Sequence, residues 1–206
     1  MRPRRGCVSL AKPMPEDEGP IEVALYGGSF DPPHVAHVMA IAYLRTVLGM
    51  ARVLVVPVYA HAFDKELAPY PHRLKMCELA FADLRAVDVS ALEQELGPPS
   101  WTLRTVQEVV RRHPDWQLRL AIGADVLADV HRWHAFEELV KLAPPVVLGR
   151  RGAARPDAPP ALLPEISSTE VRALLRTRER PESRVELGRL VPHAVLRYIA
   201  EHGLYA

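Results

Sequence analysis

The stretch Val23-Ala-Leu-Tyr-Gly-Gly-Ser-Phe-Asp-Pro-Pro-His-Val-Ala-His37 constrains what this chain can fold into more than any other. Ile21 to Tyr26 is a short apolar run, the pattern of a buried strand. Gly27-Gly28 ends it, and two glycines are expected to let the backbone turn sharply and a ligand approach closely. Asp31-Pro32-Pro33 cannot continue a strand. It delivers His34 to the start of a helix whose expected apolar positions are Val38, Ile41, Ala42 and Leu48. His34 and His37 are three apart and so share a face of its first turn. Backbone N–H groups and the helix dipole favour an anion at such a place. Taken alone, the histidine pair reads more simply as a zinc fragment or two solvated residues, and Gly-Gly as any tight turn. The strand–turn–helix context favours a phosphate site.

From Ile21 the chain alternates strand-like and helix-like segments. Strands are expected at Ile21–Tyr26, Arg52–Pro57, Val87–Val89, Gln117–Ile122 and Pro145–Leu148. Helices are expected after His34, over Pro71–Leu84 and Thr102–His113, and as short pieces at Asp125–Val130 and Phe136–Leu142. Two more run from Ser167 through Leu175 and from Val191 through Ala200, with Gly203 at the last C-cap position. Val58–Tyr70 and Leu92–Pro99 read as loops, and the charged run Arg176–Arg184 as a solvated turn. This βα order predicts an α/β fold, a doubly wound Rossmann-like parallel sheet with a small C-terminal helical portion. Ligands in such sheets bind at the carboxyl ends of strands, where Gly27–His37 and Gly123–Asp125 both fall. Residues 20–206 are expected to form one domain, with 165–206 a helical subregion. Residues 1–19, rich in arginine, proline and acid, are expected to be a disordered extension. The apolar run Cys7-Val-Ser-Leu10 is too short for a signal peptide.

Ser167-Ser168-Thr169-Glu170 has a capping-box pattern, and a helix start alone accounts for Ser167 and Glu170. Three consecutive hydroxyl residues followed by Arg172 go further. Hydroxyls, first-turn N–H groups and a guanidinium fork make a phosphate-binding set.

Bulk properties narrow the classes. A net charge of +1 over 206 residues makes no case for nucleic acid or an acidic membrane as partner, and no apolar run approaches a membrane span. The two cysteines, Cys7 and Cys77, form neither a disulfide framework nor a zinc motif and fit a reducing compartment, the cytoplasm.

Gly27-Gly-Ser-Phe-Asp-Pro-Pro-His-Val-Ala-His37 resembles the nucleotidyltransferase signature Gly-Gly-Thr/Ser-Phe-Asp-Pro followed by His-x-Gly-His, with Ala36 in place of glycine. Ile166-Ser-Ser-Thr-x-Val-Arg172 resembles a second signature, and the ending Tyr198-Ile199…Gly203-Leu-Tyr205 is also similar, as structural packing. Together these resemble the nicotinate-nucleotide adenylyltransferase family from Ile21 to about Tyr205. The resemblance implies adenylyl transfer from ATP to nicotinate mononucleotide, a step of NAD biosynthesis giving nicotinate adenine dinucleotide and pyrophosphate. It implies catalytic roles for His34, His37 and Arg172. These three would bind ATP together with Gly27, Gly28, Ser29, Phe30, Ser167, Ser168 and Thr169. Ser100, Trp101, Thr102, Gly123, Asp125 and Trp133 would hold the acceptor. Of these, Trp133 would stack on the pyridine ring and N–H groups near Thr102 would meet its carboxylate.

The implied cofactor is Mg²⁺, bound mainly through ATP phosphates, with no dedicated metal site in the protein. The implied partners are ATP and nicotinate mononucleotide, with a homo-oligomer admitted and neither nucleic acid nor membrane. Two departures from the family pattern stand out. Relatives carry Pro-His-Lys after the second strand, where this chain has His61-Ala-Phe-Asp-Lys65, so Lys65 either reaches the ATP phosphates or is solvated. Arg104-Thr105 replaces Asp-Thr, so Arg104 either strengthens carboxylate preference or points to solvent. Arg73 fits the family's Arg-x-x-Met-x-x-Leu-Ala helix. The competing readings are an adenylyltransferase acting on nicotinamide mononucleotide or phosphopantetheine, and a non-catalytic nucleotide-binding regulator. The last would be expected to have lost His34, His37, Ser168 or Arg172, and all are present.

Overall fold

A computed structural model describes residues 20–60, 67–124, 126–149 and 163–206. The proposed N-terminal extension, Lys65 and Asp125 lie outside the described residues. The chain runs β1 (Ile21–Gly28), α1 (Val35–Thr46), β2 (Arg52–Pro57), α2 (Tyr70–Phe81), β3 (Val87–Val89), α3 (Leu92–Leu96), α4 (Thr102–Arg112) and β4 (Trp116–Gly123). A 3-10 helix (Val126–Arg132), α5 (Phe136–Leu142), β5 (Pro145–Leu148), α6 (Ser168–Arg176), α7 (Pro181–Leu190) and α8 (His193–Glu201) follow. The strands form one sheet in the order β3-β2-β1-β4-β5, with every neighbouring pair parallel. β1 therefore pairs with both β2 and β4. The direction of strand progression reverses there, which opens a crevice at the carboxyl ends of β1 and β4.

The three central strands, β2, β1 and β4, are buried on both faces, as in a sheet covered by helices on either side. From one face Val23 and Leu25 pack with Val106 and Val109 of α4 and Leu139 of α5. From the other Ala24, Val53 and Val55 pack with Ile41 and Leu44 of α1 and Cys77 and Phe81 of α2. Burying one such leucine or isoleucine contributes about 1.5–3 kcal/mol. A third cluster joins Met76 of α2 to Val171 and Leu175 of α6, Leu187 of α7, and Val195 and Ile199 of α8. It seats the C-terminal helices against the sheet domain beside the crevice.

Several expectations change. The helix after His34 buries Ala36, Ala40, Ile41 and Leu44; of the expected apolar stripe only Ile41 is fully buried. Small residues at 36 and 40 turn toward the sheet, while Val38 and Leu48 pack only partly. Leu92–Leu96 is a helical turn, because Leu92 and Glu93 are both buried. The supposed solvated turn contains the start of α7. Pro181 occupies its first turn, where no N–H is missed, and Ser183 and Leu187 form its buried edge. The two glycines do not make the sharp turn either. They continue β1, and Phe30 takes the left-handed backbone with φ 48°. At Gly28 the Phe30 ring packs close to the backbone: a Cβ there would lie 3.1 Å from the ring, which would have to shift.

Candidate active site

Beyond the ends of β1 and β4 lies a cavity of about 840 Å³. The starts of three of the longer described helices border it: His34 and His37 of the α1 start, Trp101 and Thr102 of the α4 start, and Ser167, Ser168 and Thr169 of the α6 start. Each N-terminus carries backbone N–H groups that have no partner within the helix and a partial positive charge. Gly27, Gly28, Ser29, Phe30, Ser100, Gly123 and Trp133 line the same cavity. Arg172 does not.

His34 is the N-cap of α1, with extended backbone, and is 3% exposed. Its ring lies 3.8 Å from that of His37, and Phe30 meets His37 edge-on at 4.9 Å. The His34 backbone N–H donates to His37 Nδ1 at 3.1 Å. An accepting Nδ1 makes Nε2 the donor nitrogen of a neutral imidazole. Ala36, where the family has glycine, is buried at the helix start and lines the cavity beside these rings.

At α6, the capping box is present: the Glu170 N–H donates to Ser167 Oγ, and Glu170 Oε2 accepts from the Ser167 N–H at 2.7 Å. Ser168 Oγ donates to the Pro32 carbonyl at 3.0 Å, joining the two signature segments. Arg172 Nη1 donates to the Asp31 carbonyl at 2.7 Å and Nη2 to Thr169 Oγ1 at 3.2 Å. The fork thus holds the α6 start against the β1–α1 turn. With Ser167 and Glu170 engaged in the cap, the N–H groups of Ser168 and Thr169 are the first-turn donors bordering the cavity.

Beneath this half are two buried charges that sequence reasoning did not single out as functional. Asp31 is 1% exposed, and its Oδ1 accepts from the Ala68 N–H and the Tyr205 hydroxyl. Arg73 is 2% exposed and donates to the carbonyls of Ser29, Val58, Tyr59 and Ala68. Burial pulls the Arg73 pKa down, and nearby Asp31 pulls it back up. The available signal was position: Arg73 lies three residues before Met76 and four before Cys77, on the face of α2 that is buried, whereas Lys75 and Glu78 pair on the exposed side.

At the α4 start the walls are aromatic. Trp101 stacks on His134 at 3.8 Å, with ring planes 16° apart. Trp133 lines the cavity and meets Phe136 edge-on at 6.1 Å. Trp101 is the N-cap residue of α4 and has no side-chain acceptor for the first-turn N–H groups. The Ser100 hydroxyl accepts from the Ala60 N–H at 3.0 Å, so it braces the loop. Arg104 follows neither expected course. It donates to the carbonyls of Leu96, Gly97 and Pro99, closing the end of α3.

Glu93, also unanticipated, borders the cavity from α3. It accepts from the Tyr59 N–H at 2.9 Å and the Thr105 hydroxyl at 3.3 Å. Burial raises its pKa, opposed by these hydrogen bonds and one from Ser100. Nothing in Leu92-Glu-Gln-Glu-Leu96 tells which glutamate points inward until the turn is folded.

A family profile described as cytidylyltransferase-like matches residues 25–174. A probable nicotinate-nucleotide adenylyltransferase of Anaeromyxobacter sp. (strain K) is 43% identical, over 89% of this chain and 96% of the relative. Another, of Myxococcus xanthus, is 38% identical, over 90% and 95%. The chain belongs to the nicotinate-nucleotide adenylyltransferase family. The fold is also that of Plasmodium falciparum nicotinic acid mononucleotide adenylyltransferase complexed with NaAD. The TM-score is 0.75 over 89% of this chain and 97% of that one, at 21% identity. In this family member no described helix is long and apolar enough to cross a membrane.

Proposed function

We infer that the protein transfers the adenylyl group of ATP to nicotinate mononucleotide, releasing pyrophosphate and forming nicotinate adenine dinucleotide. The observation that carries this is the convergence of three helix N-termini on one cavity at the sheet's switch point. Two of them, α1 and α6, are joined by the Ser168–Pro32 and Arg172–Asp31 contacts and suit a polyphosphate. The third, α4, lies beside Trp133 and suits a second, smaller anion on an aromatic ring.

In the reaction the acceptor phosphate attacks the α-phosphorus and pyrophosphate leaves in line. No covalent intermediate on the protein is needed, so the work is alignment and charge stabilisation. His34 and His37 donate to phosphate oxygens, His37 through Nε2. The α6 N–H groups hold the departing end, and Arg172 keeps that helix start in register with the β1–α1 turn. The cavity's donors are imidazoles, hydroxyls, N–H groups and the Arg132 guanidinium; of the carboxylates among its described lining residues, Glu93 is already occupied and Asp129 lies 3.6 Å from Arg132. This set fits phosphate oxygens, with Mg²⁺ carried by the nucleotide rather than by a protein cage. When bound, the ion neutralises charge on the leaving pyrophosphate. The two-cysteine chain, with Cys77 a buried free thiol, suits the reducing cytoplasm.

N–H donors from the α4 start would be left unpaired against an amide, and unpaired buried donors are costly. The kcat/KM for nicotinate mononucleotide should therefore exceed that for nicotinamide mononucleotide by at least about tenfold, or about 1.4 kcal/mol. The assay is pyrophosphate release from ATP and Mg²⁺ with each mononucleotide, and with phosphopantetheine, in turn. Equal efficiency with the two mononucleotides would reassign it as a dual-specificity enzyme. That second reading draws on Arg104, whose charge is spent on loop carbonyls rather than on the acceptor.

A further inference from the structure

The last residues of the chain reach back to its first motif. After α8 the backbone takes left-handed φ at Gly203 and again at Tyr205, both 60°. Glycine does this freely, but in tyrosine the Cβ crowds the following carbonyl oxygen. The tail is nonetheless pinned. The Leu204 N–H donates to the Ile199 carbonyl at 3.0 Å, and Arg178 Nη1 donates to the Leu204 carbonyl at 3.0 Å. The strained backbone delivers the Tyr205 hydroxyl to Asp31 Oδ1 at 2.7 Å.

Asp31 gathers four parts of the protein. Its Oδ1 takes the Tyr205 hydroxyl and the Ala68 N–H at 3.2 Å, and its Oδ2 lies 3.5 Å from Arg172 Nη1, which also donates to the Asp31 carbonyl. On either side, Phe30 makes the left-handed turn and Pro32 accepts from Ser168. The carboxylate is 1% exposed and borders no part of the cavity, so it acts through what it holds.

We propose that Tyr205 is a positioning residue for the nucleotide half of the site, acting through Asp31 on the β1–α1 turn and on Arg172. The proposal rests on the adenylyl-transfer reading for its activity arm only. Burial and the bond to Asp31 raise the Tyr205 pKa, so the hydroxyl stays a donor at any working pH. Without it, the Ala68 N–H is the one donor left to Oδ1 among the described residues. The under-solvated carboxylate then pulls on Arg172 and on its own turn, and the α1 and α6 starts lose their spacing.

The test compares wild type, Tyr205→Phe, Asp31→Asn and the double variant. Binding of a non-hydrolysable ATP analogue is read by calorimetry, KM for each substrate by pyrophosphate release, and the melting temperature alongside. Tyr205→Phe should raise the analogue Kd and the ATP KM about tenfold, with the acceptor KM within twofold and melting nearly unchanged. In the Asp31→Asn background it should add nothing. Unchanged ATP constants, or ATP and acceptor constants rising together with a fallen melting temperature, would make Tyr205 a packing residue and overturn the proposal. If Tyr205→Phe does not fold, Arg178→Ala loosens the same tail without touching Asp31. It should show the same selective loss of analogue binding, and intact binding would overturn the idea equally. A wild type that binds the analogue but never uses nicotinate mononucleotide would sink the acceptor reading and leave this test standing.

Discussion

The proposed nucleotide end of the cavity rests on Asp31 and Arg73, 1% and 2% exposed and held by directed hydrogen bonds to backbone and side chain. The acceptor end is walled by Trp101, 39% exposed and held by a stack on His134. Buried charge-assisted hydrogen bonds are directional and penalise displacement. Aromatic faces bind flat rings with little directional demand. The difference fits the chemistry at each end. Phosphoryl transfer requires atoms in line, whereas a pyridine ring needs a surface, and on the proposed reading its identity would be read separately by the N–H groups of α4.

The contrast breaks most severely at Arg73. Arg73→Met removes a cation serving four carbonyls and leaves them buried. Unfolding free energy, by urea titration, should fall by about 3–5 kcal/mol, the scale for dismantling a buried charged network. A loss below about 1 kcal/mol would mean that the loops hold themselves.

Next comes His37→Ala, expected to lower kcat about a hundredfold, the usual effect of losing one transition-state donor. Turnover like wild type would remove His37 from the chemistry. At the acceptor end the expected loss is smaller. Trp133→Ala should raise KM for both mononucleotides by up to about tenfold, the upper range for an aromatic pair, while leaving their ratio intact. A collapsed ratio would move specificity from α4 to the tryptophan and erase the division between surface and reader.

Glu93, which braces both ends through Tyr59 and Thr105, sharpens the comparison most gently. Its folded-state pKa is raised by burial. Its favourable contribution is therefore complete below the unfolded value of about 4.3 and is lost as pH rises through the folded value. Glu93→Gln should flatten this fall. Urea midpoints measured from acid to neutral pH would show parallel slopes for the two proteins if Glu93 titrates normally.

Sequence patterning was sufficient for the strands, because a parallel strand buried on both faces is a short unbroken apolar run, as at Arg52–Pro57, and the edge strand Pro145–Leu148 keeps the same pattern. It failed at α7, whose buried edge is carried only by Ser183 and Leu187 amid charges. A helix that narrow on its apolar side reads as solvent-exposed until α6 and α8 are beside it. The glycine turn was misassigned for a related reason. Gly27-Gly28 advertises freedom that the backbone does not use, and the left-handed residue is Phe30, held there by Tyr26, His37 and Phe81 around its ring.

By itself the sequence determined the α/β class, the two signature segments and many of the residues that border the cavity, though not Glu93 and not the withdrawal of Arg172 from its wall. These follow from local periods and from motifs continuous in the chain. What only the tertiary structure decided is how those residues are used. Arg172 reaches Asp31 across 141 positions and Tyr205 reaches it across 174. Arg104 turns to the carbonyls of its own loop, and one glutamate of the Leu92–Leu96 turn is drawn inward. A polar side chain's partner is chosen by which unpaired groups are buried within about 3 Å of it once the sheet and its helices have packed, and that choice is nonlocal.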